Sequence, residues 1–198
     1  MDIISFDNDK LALIVRGKIN DKHEPGLMDQ HADCILGNGA PIGFFGNEGA
    51  ASGGDSSVSL NSIGMDMYGV VYEYGDYLRK RPFYVDVDMA TKYHVPSTVL
   101  IFNATSDEVT KFKAYWSRLK ANPGSFNLLG GNCSTHASAS FLAAGILKEG
   151  IPGLDTPDNL YRQLKKAKPS ANFYSGYIGF TKRGTSDKFD LVVRAYIK

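Results

Sequence analysis

A chain of 198 residues that is 43% hydrophobic and 22% charged can bury a proper core and is too well balanced to be disordered. Its net charge of +1 excludes a nucleic-acid binder that works through a basic stripe. No apolar run approaches the ~18 residues needed to span a bilayer, so no stable membrane anchor is expected.

Ile3 to Phe6 and Leu11 to Val15 flank the turn Asp7-Asn8-Asp9 and predict an opening hairpin. The start, Met1-Asp2-Ile3-Ile4-Ser5-Phe6-Asp7, shows no secretory signal, so synthesis in the cytoplasm is expected, with any export by a signal-independent route. Lys18 to Gln30 is polar, contains Pro25 and Gly26, and reads as a loop. His31 to Leu36 follows as a short strand. Gly37-Asn38-Gly39 is a strong turn signal, and Pro41 to Phe45 returns as the partner strand. Gly46 to Ser59 is rich in Gly, Ser and Ala, either a flap beside a site or a surface insertion.

Met67 to Tyr74 and Phe83 to Val87 read as strands, and Thr98 to Asn103 as an apolar strand buried on both faces. Thr105-Ser106-Asp107-Glu108 is a capping-box start, and Val109, Phe112, Trp116 and Leu119 then recur at helical spacing. Ser125 to Leu129 leads into a helix over about Cys133 to Leu147, closed by Gly150 to Gly153. A shorter helix begins at Thr156-Pro157 and runs to about Lys166. Phe173 to Phe180 and Phe189 to Ile197 complete the chain as strands. With no internal repeat and no linker, one α+β domain over residues 1–198 is expected.

The chemistry concentrates at Gly130-Gly131-Asn132-Cys133-Ser134-Thr135-His136. Two glycines turn the backbone, Asn132 can cap a helix, and Cys133 falls at the first helical position. There the orphan N–H groups and the positive end of the helix dipole favour a thiolate. The bland alternative, a buried structural thiol, stays open. A cysteine nucleophile needs a base. Of the four histidines, His31 opens a strand held by a tight hairpin, His23 lies in a polar loop, and His94 sits in a connection. His136 shares a helix face with Cys133, but packing or a hydrogen bond suits it better than in-line catalysis. Cys34 points to the strand face opposite His31 and Asp33 and reads as core; a single disulfide with Cys133 stays open. No paired ligand spacing supports a metal, and no phosphate loop supports a nucleotide, so no cofactor is expected.

His31-Ala32-Asp33-Cys34-Ile35-Leu36-Gly37-Asn38-Gly39, followed far downstream by Asn127-Leu128-Leu129-Gly130-Gly131-Asn132-Cys133, resembles the circularly permuted branch of the NlpC-type papain-like hydrolases. That branch includes the lecithin:retinol acyltransferase-like enzymes. Unpermuted members place the cysteine helix before the histidine strand; permuted ones reverse the order, as here. The resemblance spans roughly Gln30 to Leu147. It implies an antiparallel sheet packed on a central helix that carries the cysteine, with Cys133 as nucleophile and His31 as base. Asn132 would serve as helix cap and near the oxyanion. Family members often place a third polar residue on the strand after the hairpin, where this chain has Gly43, Phe44 and Phe45. Asp33, Asn47 or Glu48 is then the orienting candidate.

The implied reaction is acyl transfer. A small hydrolase of this kind also resembles antibacterial effectors delivered by type VI secretion into a neighbour's periplasm. The expected substrate is an amide bond in peptidoglycan stem peptides, with an immunity protein as a further partner. A lipid-directed thiol hydrolase or acyltransferase, and a non-catalytic binding module on the same fold, are the alternatives.

Overall fold

The structure, a computed structural model, describes residues 1–26, 30–47, 67–127, 131–149 and 156–196. Among them the chain is α+β: nine strands form one antiparallel sheet, with helices on both faces. The strands are β1 (Asp2–Ser5), β2 (Lys10–Arg16), β3 (His31–Ile35), β4 (Pro41–Asn47), β5 (Met67–Glu73), β6 (Ser97–Asn103), β7 (Ser125–Phe126), β8 (Asn172–Lys182) and β9 (Phe189–Ala195). Their order across the sheet is β1-β9-β8-β6-β2-β3-β4-β5-β7. The helices are α1 (Tyr74–Lys80), α2 (Val87–Lys92), α3 (Ser106–Ala121), α4 (Cys133–Ala143) and α5 (Pro157–Ala167), with a 3-10 turn at Pro82–Tyr84.

Alternation along the central strands divides the core in two. Leu11, Leu13 and Val15 of β2, Ala32 and Cys34 of β3, and Leu100 and Phe102 of β6 face α3, α4 and α5. Phe112 and Trp116 of α3 and Phe141 of α4 fill that side, with Phe112 and Phe141 rings 4.9 Å apart. Ala12, Ile14, Ile35, Val99 and Ile101 face the opposite side, against Tyr77 of α1 and Val85. Both faces of β6 are therefore covered, as its unbroken apolar run predicts.

The β3–β4 hairpin forms where Gly37-Asn38-Gly39 places it. Gly39 N–H donates to Leu36 at 2.8 Å, and Gly39 has φ +85°, with a Cβ there meeting the Phe189 carbonyl. α3 begins with the expected capping box: Thr105 N–H donates to Glu108 Oε2 at 2.7 Å and Glu108 N–H to Thr105 Oγ1 at 3.2 Å. Cys34 is buried on the face covered by α3, α4 and α5, and neither cysteine is in a disulfide.

Three expectations fail. β1 and β2 do not form a hairpin: β1 pairs with β9 (Ile3↔Val192), whereas β2 lies between β3 and β6. β2 is apolar on both faces and needs a neighbour on each side, while β1 is mostly exposed and suits an edge. Phe83 to Val87 is not a strand. Asp86 caps α2 by accepting from Asp88 and Met89 N–H at 2.9 and 3.0 Å, and Pro82 opens the 3-10 turn. Helix α1 follows β5 directly through a capping box at Glu73 and Asp76. Helix α4 ends at Ala143, short of Leu147, where Gly145 takes φ +76°. Most of the loop expected over Gly46 to Ser59, and the Gly150 to Gly153 stop, lie outside the described residues.

Candidate active site

Cys133 is the first residue of α4. Asn132 caps the helix: its Oδ1 accepts from Thr135 N–H at 2.9 Å and from the Ser134 and Thr135 hydroxyls at 2.9 and 3.1 Å. The thiol thus sits at the positive end of the helix, on a residue that is 8% exposed. Helix α4 meets the sheet where β3 and β4 part. Their ladder stops at Asp33↔Gly43, although β3 begins at His31 and β4 runs on to Asn47. Cys133 lies beside that gap, where His31 and the Ala32 N–H both act to lower its thiol.

The three reactive groups form a chain. His31 Nε2 is 2.9 Å from Asp33 Oδ1, which leaves Nδ1 as the ring nitrogen for Cys133. His31 and Asp33 are two apart on β3, so both project from one face of the strand. Asp33 is fully buried and held from three directions. Tyr77 donates its hydroxyl to Oδ1 at 2.7 Å, and Arg16 donates Nε–H to Oδ2 at 2.8 Å. Arg16 is itself buried, with its guanidinium 4.3 Å from the Tyr84 ring centre. The His31 ring stacks on Phe45 at 4.3 Å and 25°. Aromatic faces on an imidazole favour its protonated form.

Gly43 makes room for this arrangement. A Cβ at that position would fall closer than 3.0 Å to both Asp33 Oδ1 and the Tyr77 hydroxyl. The orienting carboxylate therefore occupies the space over the returning strand from which the expected third residue is missing. It comes from β3 and reaches across the glycine opposite it.

The charges are coupled. Burial pushes the Cys133 thiol up, but the adjacent His31, its hydrogen bond and the Ala32 N–H outweigh this and bring the thiol below its ordinary range. Burial pulls the His31 imidazole down, yet Cys133 and Asp33 together raise it well above its usual value. Burial would raise Asp33, but His31, Arg16 and Tyr77 hold its carboxyl far below the ordinary carboxylate range. The lowered thiol and the raised imidazole both favour a Cys133 thiolate beside a His31 imidazolium, and the two groups titrate as a coupled pair. Cys34, by contrast, is buried without a counter-charge, and its thiol is pushed well above the usual value.

Of the orienting candidates, Asp33 is placed on His31; the Asn47 side chain and Glu48 lie outside the described residues. His136 does not reach into the chain described above. Its Nδ1 meets the Tyr115 hydroxyl at 2.9 Å, its ring packs 4.1 Å from Phe44, and burial lowers its pKa. Arg16, Tyr77 and Tyr84 are site residues that sequence reasoning missed. The one available signal was Arg16 closing an otherwise apolar strand. Among the described residues no group of three or more His, Cys, Asp or Glu side chains is placed to hold a metal ion, and no helix is long and apolar enough to cross a membrane. Comparison of the chain with family models, with curated proteins and with solved structures finds no significant match.

Proposed function

We propose that this chain is a cysteine hydrolase of the circularly permuted papain-like type that cleaves an amide bond. The Cys133–His31–Asp33 cluster carries the reading: a thiol lowered at a helix start, a raised imidazole beside it, and a buried carboxylate fixing the ring. A merely structural thiol has no need of a buried acid and arginine behind its histidine.

The steps follow from these groups. The Cys133 thiolate adds to the amide carbonyl carbon, and the oxygen takes the charge. The Cys133 N–H, one of the helix-start donors without an intrahelical acceptor, would hold that oxyanion. As the C–N bond breaks, His31 gives its proton to the departing amine. Asp33 keeps the ring in place as its charge changes. Neutral His31 then takes a proton from water, the hydroxide attacks the thioester, and the carboxylic acid leaves as the thiolate returns.

Peptidoglycan stem peptides are the proposed substrate, with the protein acting as an antibacterial effector of the type VI secretion kind and countered by an immunity protein. The resemblance of the His31 and Cys133 motifs supports this assignment. The test is digestion of purified peptidoglycan by the wild type and by Cys133→Ala, read by mass spectrometry. Stem-peptide fragments released by the wild type alone are the expected result. No fragments from a protein whose Cys133 alkylates rapidly would overturn peptidoglycan as substrate and turn the search to lipid acyl bonds. A Cys133 that does not alkylate would overturn the hydrolase reading itself in favour of a binding module.

A further inference from the structure

The rings around His31 extend into a row. Phe45 stacks on His31 at 4.3 Å and on Tyr72 at 4.4 Å, and Tyr84 stacks with His31 at 5.9 Å. Two cations from the end of α1 lie over this row. The Arg81 guanidinium is 5.1 Å from the Phe45 centre and 5.8 Å from that of Tyr84, and Lys80 Nζ is 5.0 Å from that of Tyr72. Measured through Phe45, the 5.1 Å and 4.3 Å separations put the guanidinium no more than about 9.4 Å from the His31 ring.

Elsewhere the basic side chains that approach the interior are matched. Arg16 meets Asp33, Lys18 meets Asp158, Lys168 meets Glu108 and Lys165 meets Asp21. Among the described residues, neither the Lys80 ammonium nor the Arg81 guanidinium has a carboxylate or hydrogen-bond partner. The acid nearest to them on α1, Asp76, is taken by Arg79 at 2.6 Å. Asp33 cannot serve them, since it is buried and already shared by Arg16 and His31. The thiolate and imidazolium cancel, as do Asp33 and Arg16. This leaves the rim beside His31 with two uncompensated positive charges.

We infer that Arg81, with Lys80 behind it, is the subsite for a carboxylate of the substrate: the amide attacked by Cys133 carries a free carboxylate a few bonds from the scissile carbonyl. The inference rests on the cysteine-hydrolase reading. Cation–π contact with the Phe45 and Tyr84 rings positions the guanidinium without engaging its N–H groups, which leaves them free to grip a carboxylate in two-point fashion. The aromatic row supplies the wall along which the rest of the acyl group lies.

The test uses two disulfide reagents of similar size on the full chain. 5,5′-dithiobis(2-nitrobenzoate) carries a carboxylate on each ring, and 4,4′-dithiodipyridine carries none. The rate at Cys133 is taken against a Cys133→Ala blank. In Arg81→Gln the ratio of the nitrobenzoate rate to the dipyridine rate falls about tenfold, equivalent to ~1.4 kcal/mol. Arg81→Lys, which keeps the charge, holds the ratio within about threefold of wild type. A ratio unchanged in Arg81→Gln overturns the subsite while leaving the hydrolase reading in place. A ratio as low in Arg81→Lys as in Arg81→Gln also overturns it. A wild-type Cys133 inert to both reagents overturns the reading beneath it, and that result is distinguishable from the other two.

Discussion

Replacing Gly43 by alanine separates the geometry of this site from ordinary strand propensity. Gly43 lies inside β4 and is not in the left-handed region of backbone space, so alanine fits its backbone and on propensity alone would stabilise by ~0.5–1 kcal/mol. The added methyl, however, falls closer than 3.0 Å to Asp33 Oδ1 and to the Tyr77 hydroxyl, against about 3.5 Å for comfortable contact. Neither atom can swing away cheaply. Oδ1 holds His31 at 2.9 Å and Tyr77 at 2.7 Å, Oδ2 holds Arg16 at 2.8 Å, and Tyr77 is fully buried.

A retreat of roughly 1 Å breaks both bonds to Oδ1, and hydrogen bonds to a charged group contribute ~1.5–3 kcal/mol each. The expected loss is ~3 kcal/mol, which is ~6–12 °C in Tm for a chain of this size. The same retreat frees the His31 ring, so the acid limb of Cys133 alkylation by iodoacetamide moves up toward the ordinary thiol range. Thermal unfolding and the pH profile of alkylation read the two effects. A variant as stable as wild type, with its acid limb unmoved, would refute the claim that Asp33 orients His31 across the glycine.

The wild-type pH profile carries its own sign. With the thiol lowered by His31, alkylation of Cys133 has its acid limb below that of an ordinary thiol, and His31→Ala moves that limb upward, because burial is then opposed only weakly. His31 is raised in the fold, so its contribution to stability is full below ~6.5 and is lost as pH rises through the raised value. Asp33 is lowered, so its contribution is present above ~3.9 and is lost as pH falls toward its folded value; denaturant midpoints across pH check both. Two residues beyond Arg16, Lys18 is buried against Asp158 at 2.6 Å and over the Tyr161 ring at 4.8 Å. Lys18→Met is expected to cost about 3 kcal/mol in denaturant unfolding. That is the low end for a broken buried pair, because Arg162 still meets Asp158 at 2.8 Å; a loss under about 1 kcal/mol would contradict it.

What could be read ahead of the structure was whatever a few adjacent residues decide. The Gly37-Asn38-Gly39 turn, the Thr105 capping box, the Asn132 cap and the double burial of β6 all follow from local chemistry or unbroken patterning. His31, Asp33 and Cys133 stood out as candidates because turn and cap residues flank them, and the fold brings the three together. What failed is long-range. Nothing near Ile3 announces that its partner is Val192, and nothing near Arg16 or Tyr77 announces Asp33, 17 and 44 residues away. Lys18 read as part of a polar loop because its partner Asp158 is 140 residues downstream.

The register of β3 against β2 explains how so few residues assemble the site. Arg16 lies directly opposite His31, and Ile14 opposite Asp33, so Arg16 reaches Asp33 as a diagonal neighbour across the ladder. On the other side, Asp33 lies opposite Gly43, the one position in β4 whose missing side chain admits its carboxylate. A slip of one residue would turn His31 and Asp33 toward the α4 face and bring Ala32 and Cys34 to the site. Residues on both faces resist that slip. Cys34 and Ala32 are buried among the helices, and Ile35 is buried against the opposite layer. The same alternation that builds the core therefore sets His31 and Asp33 on the Tyr77 face of the sheet, beside the gap in the β3–β4 ladder where α4 begins. Substitutions that loosen the β2–β3–β4 ladder should thus lower thiolate reactivity before they unfold the protein.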